Sequence, residues 1–140
     1  MDLVKFAAAA GDAIVAADPE GRIIFWNPAA ERIFGYASSE AIGCSLDLVI
    51  PERYRERHWA GYGNVMGSGQ TRYGAQVLRV PALHKDGRPL SIAFTVALLF
   101  SAEGRVEAIA AIVRDETTRW NDERALRRRL AELEGRSAPQ

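Results

Sequence analysis

The sequence predicts an α+β fold: a five-stranded antiparallel sheet with short helices on one face and flanking N- and C-terminal helices. Five apolar or β-branched runs are joined mostly by turn residues and short helical segments, a pattern typical of antiparallel neighbours. The chain has 140 residues, of which 48% are hydrophobic and 26% charged, enough for one hydrophobic core. We expect a flanking helix at 1–11, one domain at 12–115, and a C-terminal helix and linker at 116–140.

The first predicted elements are a helix and a β-hairpin. Residues 2–10 are predicted to form an amphipathic helix with three apolar contact residues, Leu3, Val4 and Phe6. Two short apolar runs, 13–17 and 22–26, flank the tetrapeptide Asp18-Pro19-Glu20-Gly21. Proline pre-sets φ and glycine supplies the positive φ of a tight turn, so the two runs are predicted to pair.

Two short helices are predicted next. Asn27 stops the second strand and can cap a helix, while Pro28 suits the first helical position. Gly35 ends that helix. A further short helix begins near Ser38 and is closed by Gly43.

A longer helix, predicted at residues 52–66, carries the most unusual side chains of the chain. Gly61 and Gly63 each cost a helix ~1 kcal/mol relative to alanine, which predicts a loose helix or a backbone close to a flat surface. One helical face groups two tyrosines, a histidine and two aliphatic residues, namely Tyr54, His58, Tyr62, Val65 and Met66.

Three more strands are predicted at residues 73–81, 90–100 and 106–114. The first two are joined by the turn His84-Lys85-Asp86-Gly87, in which His84 is predicted to be solvated. Alternate positions of the second strand form a large apolar face, consisting of Leu90, Ile92, Phe94, Val96 and Leu98.

A charged helix is predicted at residues 116–134, after the last strand. Asp115 is predicted to cap it. Three leucines spaced by four and three residues form a short seam of the kind found in coiled coils, consisting of Leu126, Leu130 and Leu133.

Composition and motifs argue against several classes of function. Lysine plus arginine equals aspartate plus glutamate at 18 each, so the chain lacks the basic excess of proteins that bind nucleic acid or anionic membranes. The single cysteine, Cys44, precludes an internal disulfide and fits a reducing compartment. No apolar run reaches the ~20 residues of a membrane span, and no catalytic motif is present. We therefore expect a cytoplasmic, non-catalytic binding module.

An ordered motif identifies a family resemblance. It reads D-x-x-G-x-I and then N-x-A-A-E-x-x-F-G-Y, and the matching residues are Asp18, Gly21, Ile23, Asn27, Ala29, Ala30, Glu31, Phe34, Gly35 and Tyr36. Lys85-Asp86-Gly87 and Asp115-Glu116-Thr117 follow at the usual spacings. Over about residues 12–118 the sequence resembles a PAS domain.

The resemblance implies a sensory or interaction domain of a larger signalling protein. Its output domain, in a histidine kinase, a cyclic-di-nucleotide enzyme or a transcriptional regulator, would lie outside this chain. The flanking helices would form a homodimer interface. Asp115 and Thr117 match the D-x-T motif through which PAS domains pass a signal to the following helix.

The resemblance also implies a ligand site between the inner sheet face and the helix at residues 52–66. Nine residues would line it, namely Ile50, Tyr54, His58, Tyr62, Met66, Leu78, Ile92, Phe94 and Ile112. One alternative is that these side chains simply fill the core. Another is a dimerisation module that binds no ligand. Flavin is not expected, because Cys44 does not lie in the N-C-R-F-L-Q helix of flavin-binding relatives.

The segment from Pro51 to Tyr62 resembles the haem-bearing helix of FixL-type oxygen sensors. It reads P-x-x-Y-R-x-x-H-x-x-x-Y, and the resemblance makes His58 the axial iron ligand. A neutral imidazole on an apolar face suits that role chemically. FixL-type sensors also place an arginine on the following strand. This chain has Leu78 or Arg79 there, depending on a one-residue slip of register.

Overall fold

A computed structural model describes residues 1–71 and 75–137 of the chain and confirms the predicted fold. Five antiparallel strands form one sheet in the spatial order β2-β1-β5-β4-β3. A 3-10 helix at Leu46–Val49 leads into the longest helix of the domain proper. The other elements are α1 (Leu3–Ala9), β1 (Ala13–Ala17), β2 (Ile23–Trp26), α2 (Pro28–Phe34), α3 (Ser38–Ala41), α4 (Glu52–Ser68), β3 (Leu78–Leu83), β4 (Pro89–Phe100), β5 (Val106–Asp115) and α5 (Thr117–Ser137).

The pairing register decides which residues share a face of the sheet. Ala13 and Phe94 both lie opposite Val113, and Leu78 lies opposite Phe94. We call the face that carries these residues the inner face, because Ala13 and Val113 belong to the buried core. Helices α2 and α3 also contribute to that core, through Ala29, Ala30, Phe34 and Ala41.

The start of β3 differs from the prediction. The strand begins at Leu78 and continues to Leu83, past the predicted end at Pro81. The predicted start at Tyr73 lies outside the described residues. Pro81 is tolerated because β3 is an edge strand, paired only with β4.

Asn27 ties three segments together at the base of the domain. It is only 2% exposed, and its Oδ1 accepts hydrogen bonds from Ala30 N (3.0 Å) and Ile14 N (2.9 Å). Its Nδ2 donates to Ala7 O (3.0 Å) and Asp12 O (3.1 Å). The predicted cap of α2 is confirmed, and every hydrogen-bonding position of the buried amide is used.

Helix α1 has the predicted position, and its apolar side chains do not pack on this domain. The exposed fractions of these side chains are 63–71%, which leaves them free to contact a partner subunit: Leu3, Val4 and Phe6. Helix α1 is held through its backbone, by the hydrogen bond from Asn27 to Ala7 O.

His84 is not the solvated turn residue that the sequence predicted. Its side chain is 15% exposed, and its ring lies so close to Gly35 that a Cβ there would be 2.5 Å from Cε1. Gly35 has φ +84° and lacks a side chain, which leaves room for the imidazole. Lys85 N also donates to Phe34 O (2.9 Å), so the β3–β4 turn is docked on the end of α2.

None of the helices in the described ranges combines the length and the hydrophobicity needed to cross a membrane.

Candidate ligand site between α4 and the sheet

Side-chain hydrogen bonds from Arg55 and Trp59, on one face of helix α4, hold this helix to the segment before it. Arg55 donates to the carbonyl oxygens of Ile50 (3.0 Å) and Asp47 (3.2 Å). One turn later, Trp59 Nε1 donates to the Asp47 carboxylate (2.7 Å). These bonds satisfy carbonyls at the end of the 3-10 helix and fix the rotation of α4 about its axis.

The same helix rests on the turn of the first hairpin. Tyr62 Oη donates to the carbonyl oxygen of Asp18. The Trp59 ring lies against Gly21, where a Cβ would be 2.1 Å from Trp59 Cη2. Gly21 has φ +82°, so this position needs glycine both for the turn and for the tryptophan.

His58 lies beside these two aromatic residues. Its ring centroid is 4.6 Å from that of Trp59 and 5.7 Å from that of Tyr62. Its Nδ1 is buried and has no hydrogen-bond partner among the described residues. Burial lowers the pKa of His58, and the nearby Asp47 carboxylate offsets only part of that effect. The side chain is therefore a neutral imidazole at neutral pH.

Tyr62 is a hydrogen-bond donor at neutral pH. Burial is the main cause that raises the pKa of its phenol, and the charges of Asp18 and Glu20 act in the same direction. The phenol therefore keeps its proton and its bond to the hairpin turn.

Only part of the inner sheet face is sealed. Leu90 and Ile92, near the start of β4, are 4% and 7% exposed. Farther along the same face of β4, Phe94, Val96 and Leu98 are only half-buried. Their neighbour on β5, Ile109, is also half-buried. The core thus fills one end of the inner face and leaves apolar surface at the other.

Two contacts relate helix α4 to strand β4. Pro51, at its N-terminal cap, shares a surface cleft with Pro89, the first residue of β4. Gly69, at its C-terminal cap, lies near Phe100, the last residue of β4; a Cβ on Gly69 would be 3.6 Å from Phe100 Cε1. These contacts place the two ends of α4 near the two ends of β4.

The register also resolves the alternative between Leu78 and Arg79. Leu78 lies opposite Phe94 on the inner face, whereas Arg79 lies opposite Ala93 on the outer face. Ile112 also lies on the outer face, opposite Ile14, and is 47% exposed. Its predicted role in lining the site is wrong, because neighbouring residues of a strand point to opposite faces.

The structure brings some of the predicted lining residues together. Leu78, Ile92 and Phe94 share the inner face, and Ile92 belongs to the sealed core. Tyr54 is half-buried, with the Arg53 guanidinium 4.8 Å from its ring centroid. The remaining members of the predicted set lie on α4 or just before it. The carbonyl oxygen of Ile50 accepts a hydrogen bond from Arg55, and His58 and Tyr62 lie together in the aromatic cluster. Met66 is half-buried near the end of α4.

Sequence reasoning missed Trp59 and Asp47. The available signal was helical spacing, because Arg55, Trp59 and Tyr62 recur at i, i+4 and i+7 and so share a face. Within the described ranges, no group of three or more His, Cys, Asp or Glu residues could hold a metal ion.

The junction between β5 and α5 is bonded to β4. The Asp115 carboxylate accepts from Thr117 N (2.9 Å) and from its hydroxyl. Thr117 Oγ1 accepts from Ser91 N (3.0 Å), and Glu116 N donates to Ser91 O (2.8 Å). The predicted cap role of Asp115 needs correction, because α5 begins at Thr117 and Asp115 lies one residue before the cap position.

Comparison with known proteins decides the family. The PAS fold matches residues 2–115, most of the chain. The chain belongs to the PAS family. Isolated PAS domains are typically non-catalytic, although homologous domains are parts of enzymes.

Three relatives are similar in sequence. A protein of Azorhizobium caulinodans without an assigned function is 35% identical over 118 residues, which is 84% of this chain and 16% of the relative. The oxygen sensor protein DosP of Escherichia coli is 33% identical over 93 residues, 66% of this chain and 11% of DosP. The sensor protein FixL of Bradyrhizobium diazoefficiens is 43% identical over 47 residues, 34% of this chain and 9% of FixL. The chain thus spans at most 16% of these relatives.

Solved PAS structures have the same fold. The PAS domain of a Colwellia psychrerythraea protein superimposes with a TM-score of 0.71 at 25% identity, covering 84% of this chain and 99% of that one. A sensory box histidine kinase/response regulator from Burkholderia thailandensis gives 0.65 at 20% identity, covering 94% and 98%. The chain is a PAS sensory domain that resembles those of sensor kinases and DosP.

Proposed function

We propose that this domain is a non-catalytic small-molecule sensor within a larger cytoplasmic signal-transduction protein, and that haem is the ligand that its site fits best. The observation that carries the proposal is the buried Nδ1 of His58, which has no partner among the described residues. A buried polar atom without a partner is costly and calls for an explanation, of which a functional role or a bound ion is one. A neutral imidazole is also the protonation state that an iron ligand requires.

The surroundings of His58 fit a porphyrin. Trp59 and Tyr62 supply aromatic surface beside His58 on α4. Leu78 and Phe94 supply apolar surface on the inner sheet face, and the proposal places haem between these two surfaces. His58 would be the axial ligand. When bound, haem would supply an iron that responds to a diatomic gas or to redox state. The similarity to a protein named as an oxygen sensor supports this choice.

The sheet side of the site is apolar at position 78. FixL-type sensors carry an arginine in this region, but Arg79 lies on the outer face here and is engaged by Glu116. We therefore expect weaker stabilisation of oxygen than a guanidinium donor would give.

The signal would pass from this domain to its output domain through α5. We propose residues 12–115 as the sensory unit, residues 1–11 as a flanking helix and residues 116–140 as the connection to an output domain. The hydrogen bonds that Asp115 and Thr117 make at the start of α5 support a coupling role for both. A histidine kinase, a cyclic-di-nucleotide enzyme or a transcriptional regulator are the proposed classes of output protein.

A haem titration followed by tryptophan fluorescence tests the ligand. Wild-type protein should show quenching that saturates at one equivalent of haem. His58→Ala should weaken binding by at least about tenfold, because the axial ligand is lost. His84→Ala is the matched control and should bind as the wild type does. Equal affinity of wild type and His58→Ala, or no quenching at all, would reject haem at this site.

A second candidate function is a dimerisation module that binds no ligand. The exposed apolar residues of α1 and α5 favour it, including Phe6 at 63%, Leu126 at 66% and Leu130 at 57%. Light scattering should then give the mass of a dimer for a protein that binds no haem in the titration. A haem-binding dimer would support the sensor instead.

A further inference from the structure

The edge strand β3 contacts both the candidate site and the signalling junction. Leu78 lies on the inner face opposite Phe94, and the next residue, Arg79, lies on the outer face. There Arg79 Nε is 3.5 Å from Glu116 Oε2. Two consecutive residues of one strand therefore connect the ligand side of the sheet to the residue that precedes α5.

Glu116 is well placed to control the direction of α5. It is the last residue before the helix begins at Thr117, and its side chain is only 16% exposed. Its backbone N–H donates to Ser91 O, and its carbonyl oxygen accepts from Trp120 N (2.8 Å) in the first turn of α5. Movement of Glu116 would therefore move or fray that turn.

The other bonds of the junction reach a different strand. Asp115 and Thr117 bond to each other and, through the threonine hydroxyl, to Ser91 on β4. Strand β4 lies inside the sheet, between β5 and β3, and is held on both sides. Strand β3 pairs only with β4, so it is freer to shift when a ligand presses on Leu78.

We propose that the ion pair between Arg79 and Glu116 regulates α5 by coupling its first turn to the position of β3. The inference rests on the proposed sensor function. A ligand that displaces Leu78 also displaces Arg79, the pair lengthens, and the first turn of α5 opens. The pair thus biases a two-state element at the output end of the domain.

Hydrogen exchange at the Trp120 amide tests the pair directly. Arg79→Gln and Glu116→Gln should each speed local exchange by about two- to fivefold, the range expected for a partly exposed ion pair. The double variant Arg79→Gln/Glu116→Gln should exchange no faster than Glu116→Gln alone, because either single change already removes the pair. Arg88→Gln is the matched control and should leave the rate unchanged, because its guanidinium pairs with Asp86 in the β3–β4 turn (3.4 Å), away from α5. Unchanged exchange in both single variants would overturn the proposal.

A second arm tests coupling to the site without any ligand. Leu78→Phe enlarges the side chain on the inner face and should speed exchange at Trp120 in the wild-type background. The same change in the Arg79→Gln background should add nothing. An equal effect in both backgrounds would overturn the proposal. Failure of the haem titration would reject the ligand alone, because neither arm uses haem.

Discussion

At the residue scale, two neighbours on α4 have opposite environments. Trp59 is fully engaged: its indole N–H bonds to Asp47 and its ring lies on Gly21. His58 has a buried Nδ1 that bonds to none of the described residues. The tryptophan therefore positions the helix, and the histidine is the group with unused bonding capacity.

The burial of His58 predicts a pH dependence of stability in the ligand-free domain. The pKa of His58 is lowered in the folded state, so the unfolded chain binds the proton more readily. Its contribution to the free energy of unfolding is present above the usual histidine pKa of about 6.5 and is lost as the pH falls below it. Urea unfolding at about pH 7.5 and about pH 5.5 should show a smaller loss for His58→Leu than for the wild type. An equal loss would contradict the burial argument.

Gly21→Ala should destabilise the domain strongly. The new methyl group would overlap Trp59 Cη2, and φ +82° is unfavourable for alanine. We expect a loss of about 1–3 kcal/mol, typical of a strained backbone position, or more where the tryptophan cannot move. Urea unfolding measures the loss. A variant as stable as the wild type would mean that Trp59 does not rest on the hairpin turn.

At the element scale, α4 is a continuous helix despite its internal glycines. The sequence left open whether Gly61 and Gly63 bring the backbone close to a flat surface. A Cβ at either position would meet no described atom within 4 Å. These glycines therefore weaken the helix without serving a contact that the structure describes.

Gly61→Ala and Gly63→Ala should each stabilise the ligand-free domain by ~1 kcal/mol, the difference in helix propensity. Urea unfolding checks this, with Gly21→Ala as the contrasting substitution. Destabilisation by either helix variant would show that the backbone of α4 makes a close approach at that glycine.

Elements determined by local chemistry could be predicted from the sequence, and those determined by register could not. The capping roles of Asn27 and Gly35 act on their own helix and so followed from residue type, whereas the bonds of Asn27 to Ala7, Asp12 and Ile14 did not. The face occupied by Ile112 depends on how β5 pairs with β1 and β4, which its own residues do not specify. The approach of Trp59 to Gly21 and of Arg79 to Glu116 likewise depends on contacts between distant segments.

At the scale of the whole molecule, the flanking helices expose apolar side chains. Leu126 and Leu130 on α5 are 66% and 57% exposed, and such surfaces usually mark an interface. We expect the protein to be a homodimer and Leu126→Glu/Leu130→Glu to be a folded monomer. Light scattering gives the mass, and circular dichroism confirms folding. A double variant that remains dimeric would place the interface elsewhere.

The most direct test of the central claim is the absorption spectrum of protein purified from cells with ample haem supply. The account predicts a Soret band in the wild type and in the control His84→Ala, and its loss in His58→Ala. A colourless wild type, still colourless after added haem, or a band that survives in His58→Ala, would contradict the assignment of His58 as the ligand.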